Sequence, residues 1–143
     1  MTDKLKLLAE TQDDLKVISS ALQDAITRVG DIDYAPKARA LTLRLTRYRH
    51  EDKDASQRVL TGLRIDSVLS LKTKGINQSE PDAMAVLLSL DFVPGETPPA
   101  GRLHLVFAGG GELLAETECL DITLADISDP RDTDKRPLHP VSL

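Results

Sequence analysis

The sequence predicts an α+β fold: about six mostly antiparallel strands in a curved sheet or partial barrel, with one N-terminal helix and one short C-terminal helix. Three observations predict it. Leu15, Ile18, Leu22 and Ala25 recur at helical spacing near the N-terminus. From Ile26 onward apolar residues alternate with polar ones, the pattern of strands with one wet face, which are usually antiparallel. Turn signals divide that stretch at Ala35-Pro36-Lys37, Asp52 to Ser56, Gly75 to Asp82 and Pro94 to Gly101.

The elements follow in order. Leu5 to Glu10 reads as a short strand. Thr11 then offers a helix N-cap, with Asp13 and Asp14 placed to favour the positive helix end. Leu41, Leu43 and Leu45 alternate with Thr42, Arg44 and Thr46. Pairing Tyr34 with Leu41 sets Asp33 opposite Thr42 and Asp31 opposite Arg44, an internal ion pair. Leu63, Ile65, Leu69 and Leu71 share one parity, and Met84, Val86, Leu88, Leu90 and Phe92 form an apolar strand face. Leu103, Leu105 and Phe107 begin a hairpin around Gly109-Gly110-Gly111. A three-residue loop there sets Phe107 against Leu113, Leu105 against Ala115, His104 against Glu116 and Arg102 against Glu118; a one-residue slip would mix apolar and charged partners.

Leu7-Leu8-Ala9-Glu10-Thr11 recurs as Leu113-Leu114-Ala115-Glu116-Thr117. Leu120, Thr123, Leu124 and Ile127 stand at helical spacing after the second copy, although Leu120, Ile122 and Leu124 also alternate. The repeat favours a helix there. Residues 1–129 form the expected domain, and residues 130–143 read as a disordered polar tail.

At 143 residues and a net charge of −5, the chain is one domain's worth without bulk attraction to nucleic acid or an anionic membrane. Two Tyr, two Phe and no Trp supply few stacking platforms. The single cysteine, Cys119, permits no intrachain disulfide, and its acidic neighbours disfavour a thiolate; a small buried hydrophobe is expected. No run of about 18 apolar residues spans a membrane, and the charged N-terminus is no signal peptide, so the expected home is the cytoplasm. His50, His104, His139 and Cys119 show no metal-ligand spacing.

The charge is segregated. Residues 37–74 carry +6 and the flanks −11. Arg44, Arg47, Arg49, Arg64, Lys72 and Lys74 are therefore the candidates for holding an anion or an acidic partner. The densest cluster is Arg47-Tyr48-Arg49-His50-Glu51-Asp52, in which Arg47 and Arg49 share a side. Acidic neighbours neutralising these cations are the competing reading. The triple glycine serves a hairpin rather than a phosphate loop, because a strand follows it. His104 suits a general base by its near-neutral pKa, but a cross-strand glutamate explains it and no nucleophile stands with it.

Several of these pieces occur together in one family: the opening Leu-Lys-Leu-Leu-Ala, Leu22-Gln23-Asp24-Ala25, Val29-Gly30-Asp31, Leu63-Arg64-Ile65-Asp66 with Val68-Leu69-Ser70, Phe107-Ala108-Gly109-Gly110-Gly111-Glu112, and Cys119-Leu120. Up to about Pro130 the chain resembles DUF2948, an alphaproteobacterial family of short proteins of unknown function. The resemblance implies a bacterial cytoplasmic protein and brings no activity, cofactor or catalytic residue. The strand-then-helix order also loosely resembles a pleckstrin-homology-like barrel, an analogy of fold alone.

The expected function is a non-enzymatic interaction or adaptor module with a protein partner. It needs no cofactor, metal or membrane, and the sequence sets no oligomeric state. The alternatives are weak phosphate or nucleic-acid binding through a basic sheet face, which Asp31, Asp33 or Asp66 would interrupt, and an enzyme assembled from distant residues, which needs a deep pocket joining His50 or His104 to two acids.

Overall fold

The computed structural model describes residues 4–49 and 57–128, and the backbone of Arg131 and Asp132. The described elements are β1 (Lys6–Ala9), α1 (Gln12–Ala21), β2 (Ile26–Ala35), β3 (Ala40–Tyr48), β4 (Gln57–Ile65), β5 (Val68–Lys74), β6 (Met84–Pro94), β7 (Gly101–Phe107), β8 (Glu112–Thr117), β9 (Ile122–Asp126) and β10 (Arg131–Asp132). The sheet order is β1-β9-β4-β3-β2-β6-β7-β8-β5, with β10 beside β4, and every ladder is antiparallel.

The path has two ends, so the sheet is open, but a shared corner curls it. β4 passes into β5 through Asp66 and Ser67, and β8 passes into β9 through residues 118–121. At the bend the Asp66 N–H donates to the Asp121 carbonyl at 2.9 Å, and the Glu118 N–H donates to the Ser67 carbonyl at 3.0 Å. Ser67 takes φ +61°, which turns the chain sharply in one residue. The two long bent strands thus stay paired along both limbs, and the sheet folds over one apolar core. Leu41, Leu43, Leu45, Leu63 and Ile65 supply one side; Leu103, Leu105, Phe107 and Leu113 supply the other.

Helix α1 closes this core beside β6 and β1. Thr11 and Asp14 form a reciprocal capping box: the Thr11 hydroxyl accepts the Asp14 N–H at 3.1 Å, and the Asp14 carboxylate accepts the N–H groups of Glu10 and Thr11. Leu15, Ile18 and Leu22 are buried, as the helical spacing predicts. Ser19 accepts the Leu90 N–H at 3.1 Å, and Gln12 donates to the Phe92 carbonyl at 2.7 Å, which fixes the helix along β6.

Among the described residues, ten strands replace the expected six or so, partly because the Leu63-to-Leu71 alternation is not one strand. It breaks at the corner, leaving Val68 buried and Leu69 exposed. The Met84-to-Phe92 face is also split. A bulge between Leu87 and Ser89 reverses the alternation, so Met84 and Leu88 are 49% and 43% exposed whereas Leu87 and Leu90 are buried. The expected C-terminal helix is strand β9, paired with β4 and β1. Ile122 and Leu124 enter the core there, so the alternating reading prevails and the helix behind the pleckstrin-homology analogy is a strand. The repeat has two structural roles: Thr11 caps α1, whereas Thr117 is buried and its hydroxyl donates to the Gly101 carbonyl.

The hairpin loop is Ala108-Gly109-Gly110, not the three glycines. Phe107 donates its N–H to the Gly111 carbonyl at 2.8 Å, and Gly109 and Gly110 take φ +84° and +97°. Leu105 therefore faces Leu113, and Leu103 faces Ala115. The register slips by two residues, which preserves the expected inward and outward faces. Residues 131–132, within the expected tail, pair with Arg58 and Gln57 of β4; the rest of 130–143 lies outside the described residues.

Thr11→Ala should lower stability by about 1 kcal/mol in urea unfolding, the usual cost of losing such a cap. The backbone N–H of Glu10, then the Thr11 side chain, and last the Thr11 backbone N–H hold the Asp14 carboxyl below its ordinary value of 3.8. A carboxylate with a depressed folded pKa stabilises the fold above its unfolded pKa, and that contribution disappears as pH falls through the folded value. Asp14→Asn should therefore flatten the acid limb of a stability-versus-pH curve; an unchanged slope below about pH 4 would disprove the role of this carboxylate.

Candidate functional site

The six cationic candidates do not share a face. Arg44 and Arg64 lie on the outer side of β3 and β4, with Thr42 opposite Arg64 and Gly62 opposite Arg44. Arg64 donates to Asp66 at 2.9 Å, so one of the three anticipated acids does interrupt this surface. Lys72 and Lys74 stand on β5 in the other limb, opposite Leu114 and Glu112. Arg49 follows β3, half-buried beside Gln57. Tyr48 and Arg58 stack across the strands, with the guanidinium 4.5 Å from the ring centroid. His50, Glu51 and Asp52, the rest of the expected cluster, lie outside the described residues.

Arg47 points the other way. Its side chain is 0% exposed and continues the inward series Leu41, Leu43, Leu45. Asp126, at 2% side-chain exposure, continues the inward series Ile122, Leu124 on β9. The Arg47 Nε and Nη2 donate to the two Asp126 oxygens at 3.0 and 2.8 Å, and Nη1 donates to the Tyr48 carbonyl. The carboxylate also accepts the Leu5 N–H at 2.9 Å. This bidentate pair spans β4 and ties β3 to β9 and the N-terminal strand. The guanidinium is therefore a structural strut with no surface to offer an anion. Two opposite charges, each ending an inward apolar series, are the sequence signal for it.

The outer face of β6, β7, β8 and β5 is a charge checkerboard. Arg102 binds Glu116 at 2.7 Å, and His104 contacts Glu112 at 2.6 Å through Nε2. The two-residue slip replaces the expected Glu118 by Glu116 opposite Arg102, and it sets Leu114 opposite His104, which reaches Glu112 diagonally rather than the expected Glu116. Asp91 lies opposite His104 on the neighbouring strand. Half-exposed and paired on an open face, His104 lines none of the grooves below.

Two grooves are better formed. A groove of about 400 Å³ lies by the start of α1, with Thr11, Gln12, Phe92, Pro98, Cys119 and Asp121 on its walls. Cys119 is half-buried there, not the buried hydrophobe expected. The larger, about 480 Å³, separates β2 from β5. Ile32 and Tyr34 stand on one wall, Leu71 and Thr73 on the other, with Leu113 and Ile76 between and beyond them.

The bulge in β2 creates the larger groove. Thr27 pairs with Leu45, but Ile32 pairs with Leu43, so β2 carries three extra residues. They move Asp31 out of the expected position opposite Arg44, and no ion pair links those two. The bulge also ends the β2–β6 ladder at Arg28. Gly30 then packs against Pro81, where an added Cβ would approach the Pro81 Cβ to 3.0 Å. Beyond it β2 and β5 diverge, held at the other end by the Tyr34 hydroxyl donating to the Val68 carbonyl at 3.4 Å.

The walls are thus a gap between strand edges in a small antiparallel α+β protein. Residues 5–139 match the family described as Protein of unknown function (DUF2948), and the chain belongs to that family. No curated protein and no solved structure matches it. Among the described residues, no helix is long and apolar enough to cross a membrane, and no three His, Cys, Asp or Glu side chains gather as a metal-ligand group.

Removing Arg47 leaves the buried Asp126 carboxylate without its guanidinium. Arg47→Met should lower stability by about 3–5 kcal/mol, whereas Arg47→Met with Asp126→Leu should recover most of the loss. Urea unfolding of the three proteins checks this; equal losses in the single and double variants would refute it.

Proposed function

We propose that this protein is a non-enzymatic interaction module, working in the cytoplasm with residues 1–129 as its unit, and that it holds a protein partner at the β2–β5 groove. One observation carries the reading: the larger groove is bordered by two strand edges and lined by apolar and neutral polar side chains. No carboxylate, imidazole, amine or thiol lines it, so it offers little for moving a proton, whereas exposed edges and apolar walls suit another polypeptide. The cations support a protein over nucleic acid. Arg47 is occupied in the core, Arg64 faces Asp66, and Lys72 and Lys74 share their face with Glu112 and Glu116. A polyanion would meet acids wherever it met these bases.

Leu71→Glu places a charge in the groove wall at a half-buried position, and Leu88→Glu places one on a remote outer face. In capture from a native cell extract, wild type and Leu88→Glu should retain the same partner, and Leu71→Glu should lose it. Equal recovery by all three, or turnover of a metabolite by the purified chain, would overturn the reading.

A further inference from the structure

We infer that the β2–β5 groove takes an extended polypeptide segment as an added strand, antiparallel to both walls and presenting apolar side chains at alternate positions to the groove floor. The inference rests on the interaction-module reading and specifies its ligand.

The backbone edges create the demand. On the side of β2 away from β3, Val29 and Gly30 donate to the carbonyls of Ala83 and Pro81 at 2.9 and 2.8 Å, and among the described residues no further backbone hydrogen bond leaves Asp31 to Ala35 on that side. On the side of β5 away from β8, Val68 donates to the Arg39 carbonyl at 2.9 Å, and among the described residues none follows from Leu69 to Lys74. Two facing edges therefore present unpaired donors and acceptors, the feature that strand addition uses.

Direction selects the occupant. Four successive antiparallel ladders lead from β2 through β6, β7 and β8 to β5. β2 and β5 consequently run the same way, and a segment running opposite to them is antiparallel to both. Its inward side chains would rest on Ile32, Leu71 and Leu113. Its outward side chains would lie between Asp33 on one lip and Lys72 on the other, both exposed, so charged residues of both signs fit there. Tyr34 and Val68 close one end, which limits the paired stretch to about five residues.

The test uses random heptapeptides displayed against the full chain. Selected peptides should alternate apolar with charged residues, lose binding to Leu71→Glu, and slow amide exchange at residues 31–35 and 69–74. N-methylation of each central peptide nitrogen in turn should weaken binding about tenfold at every position, since alternate N–H groups serve opposite walls. Sensitivity at every second position only would overturn pairing to both edges. Peptides that need Leu71 yet tolerate every N-methyl group would overturn strand addition and leave the interaction-module reading intact. Selection of no peptide, with a native partner still lost on Leu71→Glu, would do the same; peptides and native partner alike indifferent to Leu71→Glu would overturn both.

Discussion

The enclosure of the core depends on one constraint: β4–β5 and β8–β9 must bend at the same place. A lone bent strand would tear its ladder, but two paired strands bending together keep their hydrogen bonds through the turn. The Asp66–Asp121 and Ser67–Glu118 backbone bonds mark that shared corner. Because of it, Leu63 and Ile65 on one limb and Leu113 and Ala115 on the other face the same interior. Helix α1 then covers this core with Leu15 and Ile18. The Arg47–Asp126 pair braces the limb beyond the corner, where β9 and β1 form the outer edge.

Folding answers the question raised by the segregated charge. The central +6 does not become a single basic surface, because strand alternation and the corner send its members in different directions. Parity turns Arg47 inward and Arg44 outward on the same strand. The corner then carries Lys72 and Lys74 onto the other limb, where the acids of β8 await them. A charge run that is continuous in sequence is dispersed by the geometry that encloses the core.

Much of the fold was legible in local patterns. Thr11 with Asp14 marked the helix start, Leu41 to Leu45 marked an inward face, and the pairing of Tyr34 with Leu41 and Asp33 with Thr42 followed from alternation. Two of the misreadings share one cause. Alternation transmits a single parity along a strand, and an inserted residue reverses it without altering composition. The β6 bulge therefore moved Leu88 outside, and the corner at Ser67, a non-glycine residue with positive φ, moved Leu69 outside. The hairpin erred differently: a slip of two residues keeps both faces intact, so no hydrophobicity pattern could distinguish it, yet it gave Arg102 a different glutamate and set Leu114 opposite His104. The β2–β5 groove had no local signal, because its walls are about 40 residues apart and meet only after the corner forms.

An open groove between two strand edges is hazardous unless it discriminates against copies of itself. Here the discrimination is built into the lips. A second molecule adding edge-to-edge along β5 would bring Lys72 and Lys74 near their own counterparts, a like-charge contact. The irregularity between Val68 and Ser70 also twists that edge where it leaves the corner. A narrow segment, unlike a whole β5 edge, can enter between the walls and meet β2 and β5 at once. The same bulge that detaches β2 from β6 thus opens the groove, and the lysines that failed to form a basic sheet face restrict what may enter it.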